Sequence, residues 1–187
     1  MANPAKKRQT RHEQLMLSAQ LALGALLAYW IGFRFTSLFP DYLPKIGGLW
    51  SAISAVVVIQ ATRRETTSSA FLRIIGSAIG ALVSGLYLSL FKFSAIGLGL
   101  SVLITGLICT TLNRPSSSRL SAITVLVVMV TASLDPALNP MVNALLRLTE
   151  SCIGSIIAFL VVVVVVAFAL ALALVVAVAV AVAVAVG

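Results

Sequence analysis

The sequence predicts an all-α, polytopic membrane bundle. About six transmembrane helices form an inverted repeat of three and three, followed by an anomalous Ala/Val-rich C-terminal tail. Three observations carry this prediction. Of 187 residues, 60% are hydrophobic and 10% charged, with a mean hydropathy of +1.12, whereas a soluble domain averages about 25% charged residues. The apolar residues gather into runs near the roughly 20 needed to cross a hydrocarbon core of about 30 Å as helix. Finally, two stretches of the first half recur in the second.

The spans read 15–33, 46–61, 70–91, 94–112 and 120–134, with a sixth beginning near Met141. All are expected to be helices, because a lone strand in lipid leaves its backbone groups unpaired and no alternation typical of a barrel is present. Breakers separate them: Phe39-Pro40-Asp41-Tyr42-Leu43-Pro44, Thr62-Arg63-Arg64-Glu65, Asn113-Arg114-Pro115-Ser116, and Leu134-Asp135-Pro136 with Asn139-Pro140. Only the link around Lys92 is very short, which fits a tight helical hairpin. The organisation is then a basic arm over 1–14, a six-span transporter-like domain over 15–168 and a low-complexity tail over 169–187.

With the N-terminus inside, Lys6, Lys7, Arg8, Arg11, Arg63, Arg64, Arg73, Arg114 and Arg119 fall on the cytoplasmic side. Arg34, Lys45, Lys92 and Arg147 fall outside. This bias favours a cytoplasmic N-terminus and places Tyr29, Trp30 and Trp50 at the outer headgroups. The first run is read as a retained helix, since no convincing cleavage site follows it. The arm reads as a topology anchor or as a lipid-binding segment, with His12 solvated beside it.

Ser51-Ala52-Ile53-Ser54 in span two matches Ser121-Ala122-Ile123-Thr124 in span five, 70 positions on. Arg73 with Ile79-Gly80-Ala81 matches Arg147 with Ile153-Gly154-Ser155, 74 positions on. One helical turn separates the two offsets, which a loop insertion absorbs. Three spans per unit is an odd number, so the second copy enters the membrane upside down. Inverted repeats of this kind place a substrate site where the copies meet, and unusually short corresponding spans point to it. Spans two and five are the two shortest runs. In span three, Gly76, Gly80 and Ser84 form one small-residue face and Ser77, Ala81 and Gly85 another; Gly154 and Ala158 give span six a shorter version, allowing close helix packing.

A charge at the centre of a membrane helix costs about 2.5 to 3.5 kcal/mol on insertion scales, so each one near a span needs a reason. Arg73, at the inner start of span three, is read either as an anion contact or as an anchor snorkelling to headgroups. Arg147 and Glu150 share a face of span six, as a self-neutralising pair or as a gate with a proton-coupled carboxylate. As repeat counterparts, Arg73 and Arg147 would guard opposite sides of the membrane. Gln60, Ser54 and Thr124 complete the candidate substrate pathway; Gln60 and Gln20 are read either as facing the bundle interior or as bonding a neighbouring helix.

The composition also excludes classes. The net charge is +8, but the charges sit in short islands and form no basic stripe for nucleic acid. Cys109 and Cys152 lie in apolar runs, outside any disulfide framework or zinc motif. His12 is the one histidine, the acids are scattered and no phosphate-binding glycine loop occurs. The expectation is a non-enzyme without cofactor or metal, driven by an ion gradient if transport is active.

The stretch Trp50-Ser51-Ala52-Ile53-Ser54-Ala55-Val56-Val57-Val58-Ile59-Gln60, followed by Arg73-Ile74-Ile75-Gly76-Ser77-Ala78-Ile79-Gly80-Ala81, resembles the membrane domain of the fusaric acid resistance family. That family is also called the aromatic acid exporter or integral membrane bound transporter family. Its last-span pattern of Arg, Glu, then Ile-Gly resembles Arg147-Leu148-Thr149-Glu150-Ser151-Cys152-Ile153-Gly154. The resemblance spans about residues 15 to 165. It implies a bacterial inner-membrane exporter of organic, often aromatic, carboxylates, and a homodimer to match longer members that carry two membrane domains.

The tail departs from that pattern. As one helix it would overshoot the bilayer; otherwise it breaks into a seventh hydrophobic segment or is not a faithful C-terminus. The functional expectation is a secondary exporter of small organic carboxylates, with proton coupling through Glu150. An anion channel and a non-transporting membrane scaffold remain as alternatives.

Overall fold

In a computed structural model, which describes residues 11–135 and 138–186, the chain folds into six α-helices and a short 3-10 turn. They are α1 (Arg11–Thr36), α2 (Pro44–Val58), α3 (Arg63–Leu90), α4 (Ala95–Thr111), the turn Pro115–Ser117, α5 (Ser118–Leu134) and α6 (Pro140–Val186). Lys6, Lys7 and Arg8 of the basic arm, Pro136 of the last connection and the final Gly187 lie outside the described residues. Arg11, His12, Glu13 and Gln14 belong to α1, so the arm and the first helix overlap.

Local chemistry sets the ends. Pro44 opens α2, where its missing N–H costs nothing. Thr62 Oγ1 accepts from the Glu65 N–H at 3.2 Å and donates to the Glu65 carboxylate at 3.0 Å, fixing the start of α3. Ser94 caps α4 through the Gly97 N–H. Asn113 closes that helix with φ 54°, the left-handed conformation that asparagine tolerates. Asn139 Oδ1 accepts from the N–H groups of Met141 and Val142 at the start of α6.

Helices α1, α3, Pro115–Leu134 and Pro140–Phe168 are long and apolar enough to cross a membrane, and α2 and α4 are shorter apolar helices. The expectation that spans two and five are the shortest is met only for α2, with 15 residues; α4 and α5 have 17 each. The tail neither breaks nor turns back. Helix α6 runs unbroken for 47 residues, about 70 Å at 1.5 Å per residue.

The bundle is built inside out. Leu26, Leu82, Leu103, Ile96, Leu145 and Ile156 are exposed, while the interior is lined by Ser51, Ser54, Thr66, Ser77, Ser84, Ser101, Thr105, Ser121, Thr124, Ser151 and Ser155. Lipid offers no hydrophobic drive for helices to associate, so small and hydroxylated residues that allow close approach take the interfaces. Helix α1 buries Gln20, Gly24, Ala28, Gly32 and Thr36, a strict four-residue ridge, and α4 buries Gly97, Ser101, Thr105 and Cys109 in the same way.

The packing follows the repeat. α1 rests on α2 and α6, α4 rests on α5 and α3, α2 meets α6, α3 meets α5, and α3 meets α6. Exchanging each helix for the one three places along leaves this set of pairs unchanged. A Cβ at Gly80 would fall on the Ser121 carbonyl and Thr124; at Gly154 it would fall on the repeat-equivalent Ser51 carbonyl and Ser54. Gly76 packs on Leu120 and the Ser117 carbonyl. Ser84 turns back to donate to the Gly80 carbonyl at 2.6 Å.

Candidate functional site

Among the described basic residues, only Arg73 and Arg147 are buried, at 0% and 2% exposure, and Glu150 is the one buried acid. The capped start of α3 explains why Arg73 does not reach the headgroups. The helix begins at Arg63, so Arg73 lies about 15 Å along the axis at 1.5 Å per residue. Arg147 lies about 10 Å into α6 by the same measure. Both point into protein, and the snorkelling reading of Arg73 does not hold.

Trp50 joins them. Its indole Nε1–H donates to the Arg147 carbonyl at 2.9 Å, and the Arg73 guanidinium sits over its ring, 4.8 Å from the centroid. Trp50 is 3% exposed and is therefore an interior residue, not a headgroup anchor. Tyr29 and Trp30 are exposed, and Arg34 stacks on Trp30.

Arg147 Nη1 lies 2.8 Å from Glu150 Oε2, a buried ion pair. Thr36 of α1 donates to the other carboxylate oxygen at 2.7 Å. Glu150 thus ties α1 to α6 and meets the charge of Arg147. Arg73 has no such partner among the described residues. Its Nη2 donates to Ser54 Oγ at 3.1 Å, while Nε and Nη1 are buried with no protein acceptor. The difference is written in the repeat: Glu150 follows Arg147 by three positions, and Gly76 occupies the equivalent place after Arg73.

A row of hydroxyls runs from Arg73 across the repeat interface. Ser54 donates to Ser151 at 3.3 Å, Ser151 and Ser77 share a hydrogen bond of 2.7 Å, and Thr124 donates to Ser77 at 3.3 Å. Ser77 and Ser151 are 74 positions apart, the offset of the two arginines, so equivalent residues meet each other. The single hydroxyl proton of Ser54 is shared with the Trp50 carbonyl at 2.9 Å, and that of Thr124 with the equivalent Leu120 carbonyl at 3.1 Å. The row reads the same from either end, as a pseudo-two-fold axis between Ser77 and Ser151 requires. In a double-mutant cycle of Ser77→Ala and Ser151→Ala, followed by equilibrium unfolding in bicelles, we expect a coupling of about 0.6 kcal/mol, the typical worth of such a bond in lipid. Additive single changes would show that this bond contributes nothing.

Arg73, Ser54 and Thr124 therefore belong to one connected cluster, which Arg147 and Glu150 join through Trp50. Gln60 does not. Its backbone exchanges hydrogen bonds with Thr66 and its side chain donates to the Val57 carbonyl, so it shapes the α2–α3 connection. Gln20 is buried low on the α1 ridge. Trp50, Thr36, Ser77 and Ser151 were not expected here. The four-residue spacing of Gly47, Ser51 and Ala55, with Trp50 and Ser54 on the adjoining ridge, was the available signal for Trp50.

A cavity of about 670 Å³ lies elsewhere, where the α3–α4 hairpin meets the α5–α6 connection, lined by Leu88, Phe91, Lys92, Phe93, Ser133 and Pro140 among others. No group of three or more His, Cys, Asp or Glu residues able to hold a metal occurs among the described residues. Cys109 and Cys152 are free thiols, and Cys109 contacts Ser121.

No curated protein and no solved structure matches the chain. Over residues 23–161, from the middle of α1 into α6 and across the whole cluster, the sequence matches the family described as Fusaric acid resistance protein-like. An apolar exterior around a polar, twofold interior, together with that match, makes this chain a multi-pass membrane protein belonging to the fusaric acid resistance protein-like family.

Proposed function

We propose that this protein is a secondary transporter that exports small organic carboxylates across the bacterial inner membrane. The observation that carries this reading is the buried guanidinium of Arg73, unmatched by any carboxylate among the described residues, at the interface of two inverted three-helix units. A fixed positive charge held there stabilises an anion where lipid would otherwise reject it. An inverted repeat supplies two related packings of the same helices, which alternating access uses.

The N-terminus is cytoplasmic in this reading. Removing the buried Arg73 and Arg147 from the loop count leaves eight positive residues inside, Lys6, Lys7, Arg8, Arg11, Arg63, Arg64, Arg114 and Arg119, against Arg34, Lys45 and Lys92 outside. Glu150, bonded to Thr36 and Arg147, is the carboxylate placed to couple a proton to the cycle, and two copies assemble as a homodimer.

The test is efflux of a panel of aromatic and aliphatic carboxylates from proteoliposomes, with and without a pH gradient. Protein-dependent efflux that falls roughly tenfold or more in Arg73→Gln, with normal insertion, is the expected result. Absence of flux for every anion would reject transport in favour of a scaffold, and undiminished flux in Arg73→Gln would reject the role of the arginine.

A further inference from the structure

We infer that Arg73, backed by Trp50 and Ser54, is a binding site for a single negative charge, and that Arg147 is not part of it. This rests on the transport reading for its purpose but not for its geometry. Arg73 is fully buried, and among the described residues only one of its donor nitrogens has a protein acceptor; Nε and Nη1 have none. A neutral hydroxyl and the face of an indole soften a buried cation but do not neutralise it. Its repeat counterpart meets a carboxylate at 2.8 Å.

Charge counting sets the valence of the ligand. The buried charges among the described residues are Arg73, Arg147 and Glu150, and all other described charged side chains are exposed. With Glu150 deprotonated and paired with Arg147, their sum is one positive charge. A monoanion at Arg73 brings the buried cluster to neutrality. A dianion would leave one uncompensated negative charge in the same low-dielectric interior, at the full desolvation cost of that charge. The chain cannot supply the missing carboxylate from the equivalent position, because Gly76 packs directly on Leu120 and the Ser117 carbonyl.

Small inorganic monoanions and organic monocarboxylates share this chemistry. The chain has two tryptophans, and Trp30 is exposed on α1. In Trp30→Phe protein, Trp50 becomes the sole tryptophan, excited selectively over the tyrosines at the red edge of the absorption band, and it touches the arginine. Titrating this protein in nanodiscs with benzoate is expected to give a saturable change in Trp50 emission. Terephthalate, the same ring with two carboxylates, is expected to bind roughly tenfold or more weakly. Arg73→Gln is expected to abolish the benzoate response, and Arg73→Lys, which keeps the charge but loses the planar donor fork, to weaken it by about threefold or more.

Competition by chloride would assign the site to any small monoanion and its failure to carboxylates; both uphold a site for one charge. No saturable response, terephthalate binding as tightly as benzoate, or an unchanged titration in Arg73→Gln would overturn it. Should Arg73→Gln not elute as a single species, Arg73→Lys decides, and unchanged benzoate affinity there overturns the proposal. Binding without efflux would leave this site standing and remove the transport reading. Efflux without this binding would remove the site alone.

Discussion

Glu150→Gln is expected to destabilise the protein by about 3 to 5 kcal/mol, the usual penalty for removing one partner of a buried ion pair. The carboxylate is fully buried, lies 2.8 Å from Arg147 and accepts from Thr36 at 2.7 Å. Glutamine can still accept from Thr36, but it leaves the Arg147 guanidinium as a second unmatched cation in the interior. Replacing both members, as Arg147→Met with Glu150→Leu, removes the charges together and is expected to be neutral or stabilising by roughly 1 to 4 kcal/mol. Equilibrium unfolding in bicelles checks both. A Glu150→Gln protein within about 1 kcal/mol of the parent would show that the carboxylate does not meet the charge of Arg147.

The second large effect concerns the two glycines at the repeat interfaces. Any Cβ at Gly154 meets the Ser51 carbonyl, the Ser54 side chain and the Ala55 amide; at Gly80 it meets the Ser121 carbonyl and Thr124. These neighbours are mostly backbone, which cannot swing aside as the end of a long side chain can. Gly154→Ala and Gly80→Ala are each expected to cost about 1 to 3 kcal/mol, and leucine at either place to prevent assembly of the bundle. Gly99→Ala, in open space, is the control and is expected to gain up to about 1 kcal/mol from helix propensity alone. Equal tolerance of alanine at positions 80, 99 and 154 would mean that α2 does not lie against α6, nor α3 against α5, as described.

Much of the fold was legible because lipid imposes a simple rule: charge-free runs of sufficient length become helices. Six runs gave six helices. The ends were less legible, because counting apolar residues starts after the last charge, whereas the helix starts at its cap. For α3 that difference, Ala70 against Arg63, moved Arg73 from the membrane surface to the bundle interior. The repeat was visible in Ser-Ala-Ile-Ser and in the paired arginines, since the same backbone contacts impose the same small residues twice.

Within the cluster, charged residues announced themselves by their cost. Uncharged ones did not. Trp50 satisfies the composition rule for a headgroup anchor equally well, and only the face it occupies on α2 places it against Arg73 and the Arg147 carbonyl. Ser77 and Ser151 carry no individual signal, but their spacing equals that of the arginines. Thr36 at the end of α1 had no sequence cue tying it to Glu150, 114 positions away.

A frame whose halves bury the same bonds has little reason to lean one way rather than the other. Were the seams on either side of the Ser77–Ser151 bond to trade roles, as the proposed transport cycle requires, resting posture would depend on the few positions where duplication is imperfect: Trp50 against Leu120, and Glu150 against Gly76. Swinging a two-posture balance from 1:99 to 99:1 takes about 5.5 kcal/mol, within reach of a buried ion pair and one large ring. In the proposed transporter, directionality would reside in the exceptions to its own symmetry.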